Sequence, residues 1–233
     1  MVITTNDKKR KKYFMDTARL SKSVLFRGMN EKEITDCLEK LGGRNVSYRK
    51  REYIMHAGDS TLNMGMVLSG SVTIETNDLW GNRTILSHVG ANGYFAETYA
   101  CIRDAVMPVD VTASEDCEIL FLSVALMERY PGESWKQKLT QNLLMISMNK
   151  NLVLSGRIFN TSPRTIRERV LSYLSSVSLQ KRSTEFDIPF DRQQLADYLN
   201  VERTALSKEL GKMKKDGLIS VRKNHFVLIA KAE

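Results

Sequence analysis

Four side chains able to pair with the edge of a base pair stand close together near the end of the chain: Arg203, Thr204, Ser207 and Lys208. In a helix their spacing places them on one face. Arginine or lysine there can donate to guanine O6 and N7, and the two hydroxyls can bond either base type, so the face suits the DNA major groove. Leu206, Leu210 and Met213 recur at spacings of four and three and would form the opposite, buried face. A shorter apolar pattern precedes them in Leu195, Ala196, Tyr198 and Leu199. Asn200 interrupts the two segments and tolerates a left-handed turn. The stretch RQQLADYLNVERTALSKELGKMKKDGLI, residues 192–219, thus reads as a helix-turn-helix.

Other chemistry is not assembled in the sequence. His56, His88 and His225 are isolated, and Cys37, Cys101 and Cys117 form no CxxC, so neither a metal site nor a disulfide framework is expected. There is no Ser/His/Asp set, paired-carboxylate pattern or phosphate-binding loop, which argues against an enzyme. The 35 Lys and Arg outnumber the 27 Asp and Glu, for a net charge of +8. Such an excess favours a polyanionic partner, nucleic acid before a membrane surface. The charge is concentrated at KKRKK, residues 8–12, and over residues 208–223. No apolar run is long enough to span a bilayer, and the basic N-terminus lacks the apolar core of a signal peptide, so a cytoplasmic protein without a membrane partner is expected.

The elements that must place the helix-turn-helix follow from the pattern upstream. Residues 31–41 read as a helix with Ile34, Leu38 and Leu41 on one face, Asn30 as N-cap and Glu33 at its third position. From Val46 the period shortens. Strands are expected over 53–55, 64–68, 71–76, 84–89, 109–113 and 118–122, broken by Gly58-Asp59, Ser69-Gly70, Trp80-Gly81-Asn82 and residues 90–93. Short strands at this spacing suggest a sandwich or jelly roll, and no crossover helices support a parallel sheet. Residues 133–160 read as one long helix. Leu139, Ile146 and Val153 lie seven apart, with Leu143 extending the stripe, which suits either pairing with a second copy or packing on its own domain. Asn142, Asn149 and Gly156 fall between them and could fix register or face a ligand. Ser162-Pro163 ends the helix and is read as a hinge, with Ser162 capping the next helix and Pro163 as its first residue. That helix carries Ile166, Val170, Leu171 and Leu174 inward. A strand over 186–188 and two more over 219–221 and 226–229, joined at Arg222-Lys223-Asn224-His225, complete a winged helix.

The order of parts resembles the cAMP receptor protein/FNR (Crp/Fnr) family of bacterial transcription regulators over about residues 25–229. MHAGDSTLNMGMVLSGSVTI (55–74) is similar to the family's β-roll opening, YFAETYA (94–100) to the start of its phosphate-binding cassette, and residues 192–219 to its DNA-binding motif. After an arm read from its basic charge (1–20), the resemblance implies an α+β chain: an antiparallel β-roll sensor (21–130), a dimerisation helix (131–161) and a winged helix-turn-helix (162–233). It also implies a homodimer on a palindromic promoter site, double-stranded DNA and RNA polymerase as partners, and a small effector.

By the family's motif, Arg192 and Gln193 would touch phosphates at the start of the first helix. Arg203, Thr204, Ser207 and Lys208 match the base-reading positions. Lys223 and Asn224, in the wing, would approach phosphates. The family often has glutamate in place of Thr204 and arginine in place of Lys208, so a departure from its usual half-site is expected. In the sensor, the cassette of cyclic-nucleotide binders resembles Phe-Gly-Glu followed by an arginine paired with serine or threonine. Here Phe95 and Glu97 match, Ala96 replaces the glycine, and Met107-Pro108-Val109 stands where the arginine pair should fall, with Arg103 too early. A buried phosphate without its cation is severely penalised, so no tight cyclic-nucleotide binding is expected and the effector is left unidentified. Phe95, Ala96, Glu97, Thr98, Tyr99, Asn149 and Asn151 are the candidate effector residues. Glu97 reads equally well as a partner of Arg103. The family's oxygen sensors carry cysteines near the N-terminus; with none before Cys37, no iron–sulfur cluster is expected. The alternative to the regulator is a ligand-binding regulatory module with a cyclic-nucleotide or thiol input, for which Cys101 is the candidate.

Overall fold

The structure, a computed structural model, describes residues 17–77, 83–102 and 104–229; of Arg83 only the backbone is described. The basic run at 8–12, the turn at 80–82 and Arg103 therefore lie outside the described residues. The chain divides into two units, Met1–Ser147 and Met148–Glu233.

In the first unit, α1 (Thr17–Leu20) and α2 (Glu31–Lys40) precede the strands. Asn30 and Glu33 form the expected capping box on α2. Eight strands follow: β1 (Arg44–Tyr48), β2 (Tyr53–Met55), β3 (Met64–Ser69), β4 (Val72–Asn77), β5 (Arg83–Val89), β6 (Tyr94–Phe95), β7 (Asp110–Ala113) and β8 (Cys117–Leu122). They form two four-stranded antiparallel sheets, in the orders β1-β8-β3-β6 and β2-β7-β4-β5. β1, β6 and the short helix α3 (Glu97–Cys101) were not expected from the sequence.

The alternation of side chains along β3 and β8 explains how two cores share one sheet. Met64, Met66, Leu68, Leu120 and Leu122 join a core with Phe26, Ile34, Leu38 and Trp135. Val67, Ile119 and Phe121 point the other way, into a core with Val72, Phe95, Val111 and Ala113. Gly65 makes room for this second core: a Cβ there would lie 2.1 Å from the Phe95 ring. Phe95 also packs edge-on against Phe121, with centroids 6.3 Å apart.

One long helix, α4 (Ser134–Thr161), crosses the division between the units. Its stripe corrects the expected heptad seam. Leu139, Leu143 and Ile146 are buried in the core of the first unit, while Val153 is exposed. Asn142 is buried on the first unit, its Nδ2 donating to Leu25 O and Arg27 O, both at 2.9 Å. Beside Val153, the apolar residues left open on α4 include Met145, Met148, Leu152, Ile158 and Phe159.

In the second unit, α5 (Ile166–Lys181), β9 (Glu185–Asp187), α6 (Arg192–Leu199), α7 (Arg203–Lys215), β10 (Ile219–Arg222) and β11 (His225–Leu228) follow in order. The sheet order is β10-β11-β9. Val170, Leu174, Phe186, Leu195, Leu199, Leu206, Leu210, Met213 and Phe226 make the core. The start of α5 departs from expectation. Pro163 is not its first residue and Ser162 is not its cap; the helix begins after Thr165, whose hydroxyl accepts from Glu168 N while the Glu168 carboxylate accepts from Thr165 N. A reciprocal box satisfies two orphan amides at once; a start at Pro163 would put Thr165, and not a Glu or Gln, at the third position.

Candidate nucleic-acid interface and effector region

The helix-turn-helix is built as its residue types demand. Asp191 caps α6 in a capping box with Gln194. Asn200 closes the helix in the left-handed conformation, φ 53°, as its short polar side chain allows. Ala196 is fully buried where the two helices pack. Leu206, Leu210 and Met213 anchor α7, each burial being worth about 1.5–3 kcal/mol. The anchoring leaves Arg203, Thr204, Ser207 and Lys208 exposed.

Three carboxylates, of Glu202, Glu209 and Asp216, shape this helix. Glu202 precedes it and accepts from Thr204 N at 2.8 Å and Ala205 N at 2.7 Å. The backbone and side-chain hydrogen bonds from Thr204, and then the Ala205 amide, hold its carboxyl below the usual range. On the inner side, Arg167 of α5 donates through Nε to Glu209 at 2.6 Å and pairs through Nη2 with Asp216 at 2.7 Å. Neither Glu202 nor Arg167 was singled out in the sequence. The Glu202 cap follows from its place before the apolar run, but the Arg167 pairs span 42 and 49 positions and leave no local pattern.

The flanking candidates are more structural than expected. Arg192 is half-buried and its Nη2 donates to Lys223 O at 3.3 Å, tying α6 to the wing turn. Asn224 donates from Nδ2 to Ile188 O at 3.2 Å, and its own carbonyl accepts from Ile188 N. Gln193 donates to Asp197 at 2.8 Å. Lys223 stays exposed at the turn with φ 55°. Next to it, His225 lies between two carboxylates, Nδ1 3.0 Å from Asp187 and Nε2 3.1 Å from Glu185. The Asp187 bond first, and the Glu185 bond after it, raise the His225 pKa.

Five of the candidate effector residues, Phe95, Ala96, Glu97, Thr98 and Tyr99, run from β6 into α3. Phe95 is fully buried in the sheet core. Ala96 holds φ 59°, the left-handed conformation in which glycine is at ease. Glu97 is buried at the first position of α3, Tyr99 is half-buried and Thr98 is exposed. Asn149 and Asn151 lie on α4 in the other unit and are exposed; Asn151 accepts from Ser155 at 3.1 Å. Met107, at the place of the expected arginine, is 1% exposed. Its backbone is held to Asp59 O and Gly58 N at 2.9 and 2.8 Å.

A β-roll with a short helix after its sixth strand, a long helix and a winged helix-turn-helix together define a ligand-sensing DNA-binding regulator. Residues 45–130 match the family model of the cyclic nucleotide-binding domain, and residues 168–233 that of the Crp-like helix-turn-helix domain. The chain is 24% identical over 201 residues to transcriptional activator protein FnrL of Cereibacter sphaeroides, covering 78% of this chain and 75% of that protein. It is 22% identical over 212 residues to electron transport regulator A of Shewanella oneidensis, covering 86% and 80% of the two. The structure of CprK complexed with OCPA is similar in fold, with a TM-score of 0.63 at 13% identity, covering 84% of this chain and 91% of that one. The chain belongs to the Crp/Fnr family of transcription regulators. Proteins of this family bind DNA as dimers and contact RNA polymerase. Among the described residues, no helix is long and apolar enough to cross a membrane.

Proposed function

We propose that two copies of this chain read a palindromic promoter site with their α7 helices, under the control of a small effector that is not a cyclic nucleotide. The observation that carries the reading is α7 itself: Arg203, Thr204, Ser207 and Lys208 are exposed together while Leu206, Leu210 and Met213 are buried behind them. Arg203 and Lys208 donate to guanine, and Thr204 and Ser207 adjust to either base. Lys223 and Gln193 supply phosphate contacts, which set register without reading sequence. Met145, Met148, Leu152 and Phe159 are the exposed apolar positions of α4 that pair with a second copy.

The residues of the sensor do not fit a cyclic nucleotide. Phe95 is spent on the core, and a buried methionine stands where the phosphate needs a cation. An iron–sulfur cluster is equally ill served, since Cys37 and Cys117 are buried in two different cores. A thiol switch at Cys101 is disfavoured: desolvation first, and the Glu97 carboxylate after it, push that thiol up and away from the reactive thiolate. The protein works in the cytoplasm, catalyses no reaction, and responds by a shift between two populations of the dimer.

Calorimetric titration with cAMP and cGMP tests the effector reading. No binding is expected, and micromolar or tighter affinity for either would overturn it. Selection from a random duplex pool tests the DNA reading, with an inverted repeat as the expected product.

A further inference from the structure

The last turns of α4 are bonded to the first helix of the helix-turn-helix. Arg157 donates from Nη2 to Asp197 O at 3.2 Å and from Nε to Tyr198 O at 3.4 Å. Its guanidinium carbon lies 5.9 Å from the centroid of the Tyr198 ring. Asn160, 3% exposed, donates to the Tyr198 hydroxyl at 3.2 Å and accepts from Ser172 of α5 at 3.0 Å. From α5, Arg169 donates through Nη1 to Leu199 O at 3.2 Å and Asn200 O at 3.0 Å, and through Nε to Pro163 O at 2.8 Å.

Two arginines therefore engage four consecutive carbonyls, 197–200, at the C-terminal end of α6. The last carbonyls of a helix have no intrahelical donor. The helix dipole places negative charge there, which favours cations. A planar guanidinium suits the position because it offers several donors in a fixed fork. The same bonds bridge Ser162-Pro163 from both sides. Arg157 and Asn160 hold the chain before the turn to α6, and Arg169 holds the carbonyl of the proline itself.

We infer that Arg157 is a positioning residue that makes the end of α4 and the helix-turn-helix one rigid body. The swivel of the regulator then lies upstream of Arg157 and not at Ser162-Pro163. The separation of the two recognition helices is set by how the α4 helices pair. This rests on the dimeric DNA-reading function proposed above. Arg157 is remote in sequence from α7 and contributes nothing to base recognition, so its loss should relax geometry without changing the half-site.

The test is selection from a random duplex pool by full-length wild type and by Arg157→Ala, Arg157→Lys and Asn160→Ala, with native mass spectrometry of each. Wild type should enrich one half-site sequence at one centre-to-centre spacing. Arg157→Ala should remain a dimer and enrich the same half-site, but over several spacings, with discrimination between neighbouring spacings about tenfold weaker. Arg157→Lys, which keeps the charge but not the fork, should show the same loss in milder form, and serves if Arg157→Ala does not fold. Asn160→Ala should fall on the same side. Unchanged spacing preference in folded Arg157→Ala or Arg157→Lys would overturn the inference, as would loss of the half-site itself, which would mark a merely structural role. A wild type that enriches no motif would overturn the DNA reading, and the clamp with it.

Discussion

Arg167 holds Glu209 from the inner side of the recognition helix, Nε to Oε1 at 2.6 Å, while its other arm reaches Asp216 just past the helix end. One guanidinium thus fixes both the rotation of α7 and the position of its C-terminus. The pair of bonds to the two carboxylates also raises the Arg167 pKa. Arg167→Ala is expected to lower the melting midpoint of the second unit and leave that of the first unchanged. Calorimetric melting of the full chain checks this. Arg167→Lys should recover only part of the loss, because an ammonium cannot span both carboxylates.

His225 makes the wing sensitive to pH. Its pKa is raised by the Asp187 and Glu185 bonds. The sign follows: the bonds are strongest to imidazolium, so the stabilisation is complete below the unfolded value of about 6.5 and is lost as pH rises through the higher folded value. The positive charge also sits beside the wing turn that carries Lys223. DNA affinity of the wild type should therefore decline as pH rises from about 6.5, and that of His225→Gln should be nearly level. Gel shifts across the pH range would show this; parallel curves for the two proteins would refute it.

Ala96 sits at φ 59°. A left-handed conformation costs a residue with a Cβ about 1–2 kcal/mol, so Ala96→Gly is expected to stabilise the first unit by roughly 1 kcal/mol. Chemical denaturation measures it. The same substitution should not create cyclic-nucleotide affinity, because Met107 remains where the cation is needed.

The exposed stripe of α4 predicts where the dimer is vulnerable. Leu152 and Phe159 are 71% and 69% exposed, so aspartate at either position does not disturb a core. Leu152→Asp and Phe159→Asp should sediment as folded monomers. Leu143→Asp, by contrast, places a charge in the core of the first unit and should unfold it.

The parts legible in the sequence are those governed by local period. Leu206, Leu210 and Met213 announced the buried face of α7, and the capping residues Asn30 and Asn200 stand where their chemistry placed them. The strands between Tyr53 and Leu122, apart from the two-residue β6, emerged from alternation and glycine turns. What was not legible depends on distant partners. Leu139, Leu143 and Ile146 have heptad spacing, but the period does not say whether a second copy or the chain's own core fills the stripe. Phe95 matched a cassette motif, and only the cross-strand neighbour Gly65 reveals that its ring is packed inward. Pro163 looked like a helix start because proline is tolerated there, yet Thr165 and Glu168 satisfy more backbone groups. Arg157, Arg167 and Arg169 had no signal, since each meets carbonyls or carboxylates 30 or more positions away.

The central claim is that α7 reads bases and the wing only holds phosphate. Titrating the selected duplex and an unrelated duplex with wild type, Arg203→Ala and Lys223→Ala over a range of salt tests it most directly. Arg203→Ala should lose about 1–3 kcal/mol on the selected duplex and little on the other, while Lys223→Ala should weaken both alike and flatten the salt slope by about 1. Full specific affinity in Arg203→Ala, or a loss equal on both duplexes, would contradict it.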